Sequence, residues 1–134
     1  VQTRAEVDRL MAATDPALVH LLLDTGQLFW SGDDPLAMAR ARAKRIKHVH
    51  LKDVRPEVIR RCTEADLSFQ ESIMEGVFTV PGDGAIDFRP ILQTLADAGF
   101  EGWLVVEAEQ DPAKANPLDH ARKARAYLRD ILGF

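Results

Sequence analysis

Leu18-Val19-His20-Leu21-Leu22-Leu23-Asp24-Thr25-Gly26 is the stretch on which the fold turns. Leu18 to Leu23 form a short, nearly unbroken apolar run that reaches Asp24-Thr25-Gly26 and its carboxylate. Such a run predicts a strand buried on both faces, as in a parallel sheet, with Asp24 at its C-terminal end. Upstream, Thr3 and Glu6 have the spacing of a capping box, and Val7, Leu10 and Met11 follow at helical intervals. An amphipathic helix ending near Thr14 is therefore expected, with its apolar face on a sheet. Downstream, Asp34-Pro35 starts a second helix carrying Leu36, Ala39, Ala43 and Ile46, which leads into a second strand from Ile46 to Asp53. Asp87 caps a third helix built on Phe88, Ile91, Leu92 and Leu95; Gly99 ends it before a third strand, Trp103 to Glu107. Asn116-Pro117 opens a last helix whose Leu118, Ala121, Ala124, Leu128 and Ile131 form one face.

The alternation defines an α/β chain, a partial parallel sheet of three main strands with outer helices in one domain spanning residues 1–134; what it resembles is a partial (β/α) TIM barrel, its last three parallel strands. Size supports the word partial. The chain has 134 residues, whereas a complete barrel takes about 250. Between the second strand and the third helix, residues 54–86 exceed an ordinary connection. Val58, Ile59 and Cys62, then Phe69, Ile73 and Met74, predict two short helices there, followed by an extended Val77–Val80 and the turn Pro81-Gly82-Asp83-Gly84. This segment reads as a wall over a site or as an extra strand with ordinary loops.

Composition narrows the partners. The net charge is −4, with 17 basic and 21 acidic residues spread along the chain, and no basic stripe alternates with aromatics. Nucleic acid and anionic membranes are not expected as partners. Cys62 is the single cysteine, and no signal peptide or long apolar span is evident, so the expected location is a reducing cytoplasm. In its charged run Cys62 reads as a passive surface or half-buried thiol.

Three strands each deliver a metal-capable side chain at the C-terminal end: Asp24, His50 and Glu107. That is the rim where parallel barrels form their sites. Carboxylates with an imidazole suit a divalent ion such as Mn²⁺ or Co²⁺, or Mg²⁺ or Zn²⁺, over a thiolate-preferring one. Alternation puts Ile46, His48, His50 and Lys52 on one face of the second strand, so that His50 can ligate and Lys52 can meet substrate. His48 falls one layer deeper, and His20 is expected to pack below Asp24. Glu109 shares a face with Glu107 and lies beyond the strand.

Four blocks make the chain recognisable: Leu21-Leu22-Leu23-Asp24-Thr25-Gly26, His48 to Pro56, Phe78 to Phe88 and Gly102 to Pro112. Together they resemble the inosose (2-keto-myo-inositol) dehydratases of the xylose-isomerase-like barrel superfamily. The resemblance spans essentially the whole chain. It implies a lyase of inositol catabolism that removes water from a keto-inositol, with a divalent ion held by Glu, Asp, His and Glu on four successive strands. Asp24, His50 and Glu107 would be the last three of these. The first Glu belongs to a strand expected before the opening helix, so the resemblance implies that the first five strands are missing, and that this chain alone is weak or inactive. Gln27 departs from the Asp-Thr-Gly-His arrangement of relatives. A neutral amide hydrogen-bonds substrate but cannot act as an acid.

The same resemblance implies Glu107 as general base or acid, and Lys52 and Arg55 as groups that neutralise oxyanion charge or position hydroxyls. Gln27 and Glu109 join Lys52 and Arg55 as substrate contacts. The expected partner is a cyclic polyol or keto-sugar, together with a second copy of the chain or a missing N-terminal half. Two alternatives stand beside this reading. One is a ketose 3-epimerase or isomerase of the same superfamily; the other is a non-catalytic half-barrel that oligomerises through its strand edges.

Overall fold

The computed structural model describes residues 1–133. It divides into two compact units, Val1–His50 with Asp87–Val105 and Leu51–Ile86 with Val106–Phe134.

The first unit is built around a three-stranded sheet in the order β1-β2-β5, comprising β1 (Leu21–Asp24), β2 (Ile46–Leu51) and β5 (Trp103–Val106). β1 and β2 run parallel, as the alternation requires, with Leu21 opposite Ile46, Leu23 opposite Val49 and Asp24 opposite His50. Helices carry the chain between strands, and their starts follow from local chemistry. Thr3 and Glu6 close a reciprocal capping box ahead of α1 (Arg4–Ala12). Asp34 accepts the amide of Leu36 and Pro35 pre-sets the first turn of α3 (Pro35–Arg42). Asp87 does the same for α6 (Phe88–Asp97) through the amide of Arg89. α3 packs on α6, and Leu23, Met38, Ala39, Val49, Phe88, Ile91 and Leu95 are all at most 1% exposed. Each larger side chain in that group contributes about 1.5–3 kcal/mol by leaving water.

Two expectations need correction here. β1 is shorter than the apolar run, leaving Leu18 in a turn and 78% exposed, and it is not buried on both faces, since Leu22 within it is 46% exposed. Among the described residues β1 is an outer strand of its sheet. His20, expected to pack, is exposed because the strand begins only at Leu21 and leaves it outside the sheet. Residues 25–30, which the sequence reading assigns to no element, form α2 (Thr25–Trp30), because the carboxylate of Asp24 accepts the amide of Gln27 and caps it.

The second unit holds most of the long connection. The two helices expected there are α4 (Pro56–Glu64) and α5 (Phe69–Met74), the latter opened by a Ser68–Glu71 capping box. Beyond them the extra strand is what forms: β4 (Phe78–Thr79) pairs antiparallel with β3 (Asp53–Val54), Asp53 opposite Thr79 and Val54 opposite Phe78. The second strand of the sequence reading is thus divided, Ile46–Leu51 in the parallel sheet and Asp53–Val54 in this ladder. Cys62 is 1% exposed on the apolar face that α4 shares with Val58, so it is a core residue and not a surface thiol. The last helix, α7 (Pro117–Leu132), starts at Asn116, whose side chain accepts the amides of Leu118 and Asp119. No helix of the described residues is long and apolar enough to cross a membrane.

Candidate functional site

Strand register in the first unit sets Asp24 beside His50. Oδ2 of Asp24 lies 3.6 Å from Nδ1 of His50, and both side chains are largely but not wholly buried. Two anchors hold the pair. Oδ1 of Asp24 accepts the Gln27 amide at 2.9 Å, which fixes the carboxylate on the N-terminus of α2. The fully buried Thr25 hydroxyl donates to the carbonyl of His50 at 3.2 Å, which ties the start of α2 to β2. The His48 ring meets His50 edge-on, 5.3 Å between centroids. A cavity of about 440 Å³ in this unit is lined by α1 and β1 residues and by Asp24, Gln27 and Leu28.

In the second unit, Lys52 is 2% exposed and its Nζ stands 2.9 Å from Oε2 of Glu107 and 2.9 Å from Oε2 of Glu109. The ring of Phe78, itself fully buried, lies 4.9 Å from the same nitrogen. Glu107 follows directly on β5, and its amide donates to the carbonyl of Leu51 at 3.3 Å. The two carboxylates are more than a third exposed, so the ammonium lies beneath them.

Arg55 turns its guanidinium onto protein acceptors: the carbonyl of Gly76 at 2.8 Å, the hydroxyl of Thr79 at 2.9 Å and the carboxylate of Asp83. Asp83 also receives Lys123 and Thr79. Burial raises its pKa, but the hydrogen bonds from Lys123, Thr79 and Arg55 outweigh that and hold it down at about 2.

Sequence reasoning missed Asp53. This carboxylate is completely buried and accepts four amides: Val54 at 2.8 Å and Ile86 at 2.9 Å on Oδ1, Gly84 at 3.1 Å and Gly82 at 3.2 Å on Oδ2. Burial raises its pKa against the pull of those amides. The signal was in the sequence, since a charge at the strand end and a Pro-Gly-Asp-Gly turn are complementary, but their separation of some thirty residues hides the pairing. Phe78, beneath Lys52, was read only as part of an extended run.

Parallel strands joined by helices, with carboxylate and imidazole at their C-terminal ends, are the arrangement of a (β/α) barrel and its site-bearing rim. The chain belongs to the xylose isomerase-like TIM barrel family, whose model matches residues 1–131. It is 55% identical over 130 residues to the inosose dehydratase of Clostridium tetani, covering 97% of this chain and 44% of that protein. With the inosose dehydratase of Geobacillus thermodenitrificans the identity is 56% over 133 residues, covering 99% and 45%. The chain therefore spans less than half the length of the curated relatives it matches. Among solved structures, the IOLI protein with a binding zinc atom superposes with a TM-score of 0.65 at 21% identity, over 98% of this chain and 44% of that one.

Proposed function

We propose that this chain is part of an inosose dehydratase, a hydro-lyase of inositol catabolism, and forms one domain that is the C-terminal portion of its barrel. The observation that carries the reading is the Asp24–His50 pair at adjacent strand ends, 3.6 Å apart, in a chain 55% identical to an inosose dehydratase. Asp24, His50 and Glu107 each offer one ligand atom, and we assign them to a divalent ion. Two carboxylate oxygens and one imidazole nitrogen fit Mn²⁺ or Co²⁺ first, with Mg²⁺ and Zn²⁺ also compatible with that donor set. When bound, such an ion supplies Lewis acidity toward a ketone oxygen and its neighbouring hydroxyl.

The remaining chemistry belongs to side chains. The Glu107 carboxylate is the general base or acid: it takes the proton from the carbon next to the ketone, and the electron pair left behind expels the β-hydroxyl, which leaves as water after accepting a proton. A C–H and a C–O bond break and one C=C bond forms. No electrons leave the substrate, so the step needs no nicotinamide. Glu109, Gln27 and Arg55 are assigned to substrate hydroxyls, with Lys52 supplying the positive charge among the carboxylates. The substrate is a cyclic keto-polyol, the setting is the cytoplasm, and the partner is the rest of the barrel or a second copy of the chain.

The test uses the chain extended to the length of its relatives, with Mn²⁺ or Co²⁺ and a keto-inositol, and follows the product by mass. Loss of one water that stops on chelation is the expected result. An isomer of unchanged mass would instead make the protein an epimerase, and no product at all would overturn the reading.

A further inference from the structure

We propose that Lys52 is a positioning residue, which holds Glu107 and Glu109 from below and aims Glu107 at the ion without touching ion or substrate itself. This rests on the metal reading given above. Exposure separates Lys52 from a substrate contact: it is 2% exposed, while the carboxylates covering it are 37% and 39% exposed. The closed side of its ammonium is the buried Phe78 ring, 4.9 Å away. A polyol reaching this place meets Glu107 and Glu109 first.

Burying an ammonium is costly unless it is paired, and here two carboxylates pair it. Glu107 and Glu109 are two residues apart in extended chain, where side chains fall on the same side. Two carboxylates so placed repel, and one ammonium bonded to Oε2 of each removes the repulsion and sets their spacing. Neighbouring residues hold Glu107 by its amide, on the carbonyl of Leu51 at 3.3 Å, and by its carboxylate, on Lys52 at 2.9 Å, which sets the direction of the side chain. Lys52 would repel a nearby cation if it stood alone, but the charge of Glu109 offsets it. Orientation of Glu107 is the effect that remains.

Hydrogen-bond partners of ligating groups are worth about 10–100-fold in metal affinity, and that is the size of effect expected. The experiment is a Co²⁺ titration of the chain, followed by calorimetry and by the visible absorption of the ion. Lys52→Met keeps the apolar stem against Phe78 and removes the charge. It should bind Co²⁺ about 10–100-fold more weakly, with an altered absorption band at saturation because Glu107 no longer ligates from the same direction. A role in folding alone would lower the melting temperature and leave the band of the saturated protein unchanged, which would overturn the proposal. Glu109→Gln, at a half-exposed position, tests it without disturbing the core: Lys52 then bears its full charge on Glu107, and Co²⁺ should again bind more weakly. Wild-type affinity and spectrum in both variants would overturn the positioning role alone. Failure of the unsubstituted chain to bind Co²⁺ would overturn the metal reading and this role together.

Discussion

The amide of Gly84 donates to Oδ2 of Asp53 at 3.1 Å, and a methyl group placed on Gly84 would stand 2.4 Å from Oδ1 of the same carboxylate. It would also stand 2.3 Å from the carbonyl of Val54. Backbone and carboxylate cannot move aside as a flexible side chain could, so glycine is required here for room. Gly84→Ala is expected to cost about 1–3 kcal/mol by overpacking. Asp53→Asn tests the other half of the contact: its amide group would face two of the four amide donors, with a loss of about 2 kcal/mol or more from stranded buried N–H groups. Urea denaturation of the chain reads both. Unchanged midpoints would show that the turn folds without the carboxylate.

Asp83 gives the chain an acid-sensitive joint. Its pKa is about 2 in the folded protein, against an ordinary 3.8, because Lys123, Thr79 and Arg55 all donate to it. A depressed carboxylate stabilises the fold fully above its unfolded pKa, and the contribution disappears as pH falls through the folded one. The window therefore runs from about 4 down to about 2, and the amount is on the order of 2 kcal/mol, reduced by solvent because Lys123 is half exposed. Glu6, also held at about 2 by the amides of Gln2 and Thr3, titrates in the same window. Asp83→Asn separates the two: the variant should be less stable at neutral pH and should lose less on acidification. Parallel stability curves for variant and parent would remove Asp83 from the acid response.

What the sequence disclosed, and what it hid, divides along the range of the interactions. Helix starts at Thr3, Asp34, Asp87 and Asn116 were legible because a cap and its amide are two or three residues apart. The parallel strands were legible from their apolar runs, and the strand-end Asp24 and His50 from position alone. Hidden were the contacts that need the fold to exist first: Asp53 with Gly82 and Gly84, Lys52 over Phe78, Arg55 with Asp83. Each joins residues more than twenty positions apart, and neither pattern nor propensity encodes such pairs. The exposure of Leu22 escaped for a different reason. An apolar run reports that burial is available to a strand, and the layers packed on each face of the sheet decide whether it is supplied.

Arg45 fastens the approach to β1. Its guanidinium donates to the carbonyl of Val19 at 2.7 and 3.1 Å and to that of Met11 at 3.3 Å, joining the end of α1 to the segment that enters the strand. Charged donors to carbonyls are worth about 1.5–3 kcal/mol each, and the planar fork is what reaches two carbonyls at once. Arg45→Lys keeps the charge and loses the fork, so it should recover less than half of what Arg45→Met costs. Equal stabilities for the two variants would mean that charge and not geometry is at work, and thermal denaturation decides between them.

Asp24 performs two tasks that substitution can separate. Oδ1 caps α2 through the Gln27 amide at 2.9 Å, and Oδ2 faces Nδ1 of His50 at 3.6 Å. Asparagine caps a helix as well as aspartate does, whereas alanine forfeits about 1 kcal/mol. Asp24→Asn should therefore keep the stability of the chain within about 0.5 kcal/mol, and Asp24→Ala should not. Metal binding sorts the same variants differently. Both lose the anionic ligand, so both should bind Co²⁺ more weakly by more than the roughly 10–100-fold typical of an outer partner. The pair thus forms a crossed test in which fold and ion respond to different atoms of one side chain. Should Asp24→Asn retain the Co²⁺ affinity of the parent, Asp24 would be a helix cap only, and His50 would have to hold the ion with other groups.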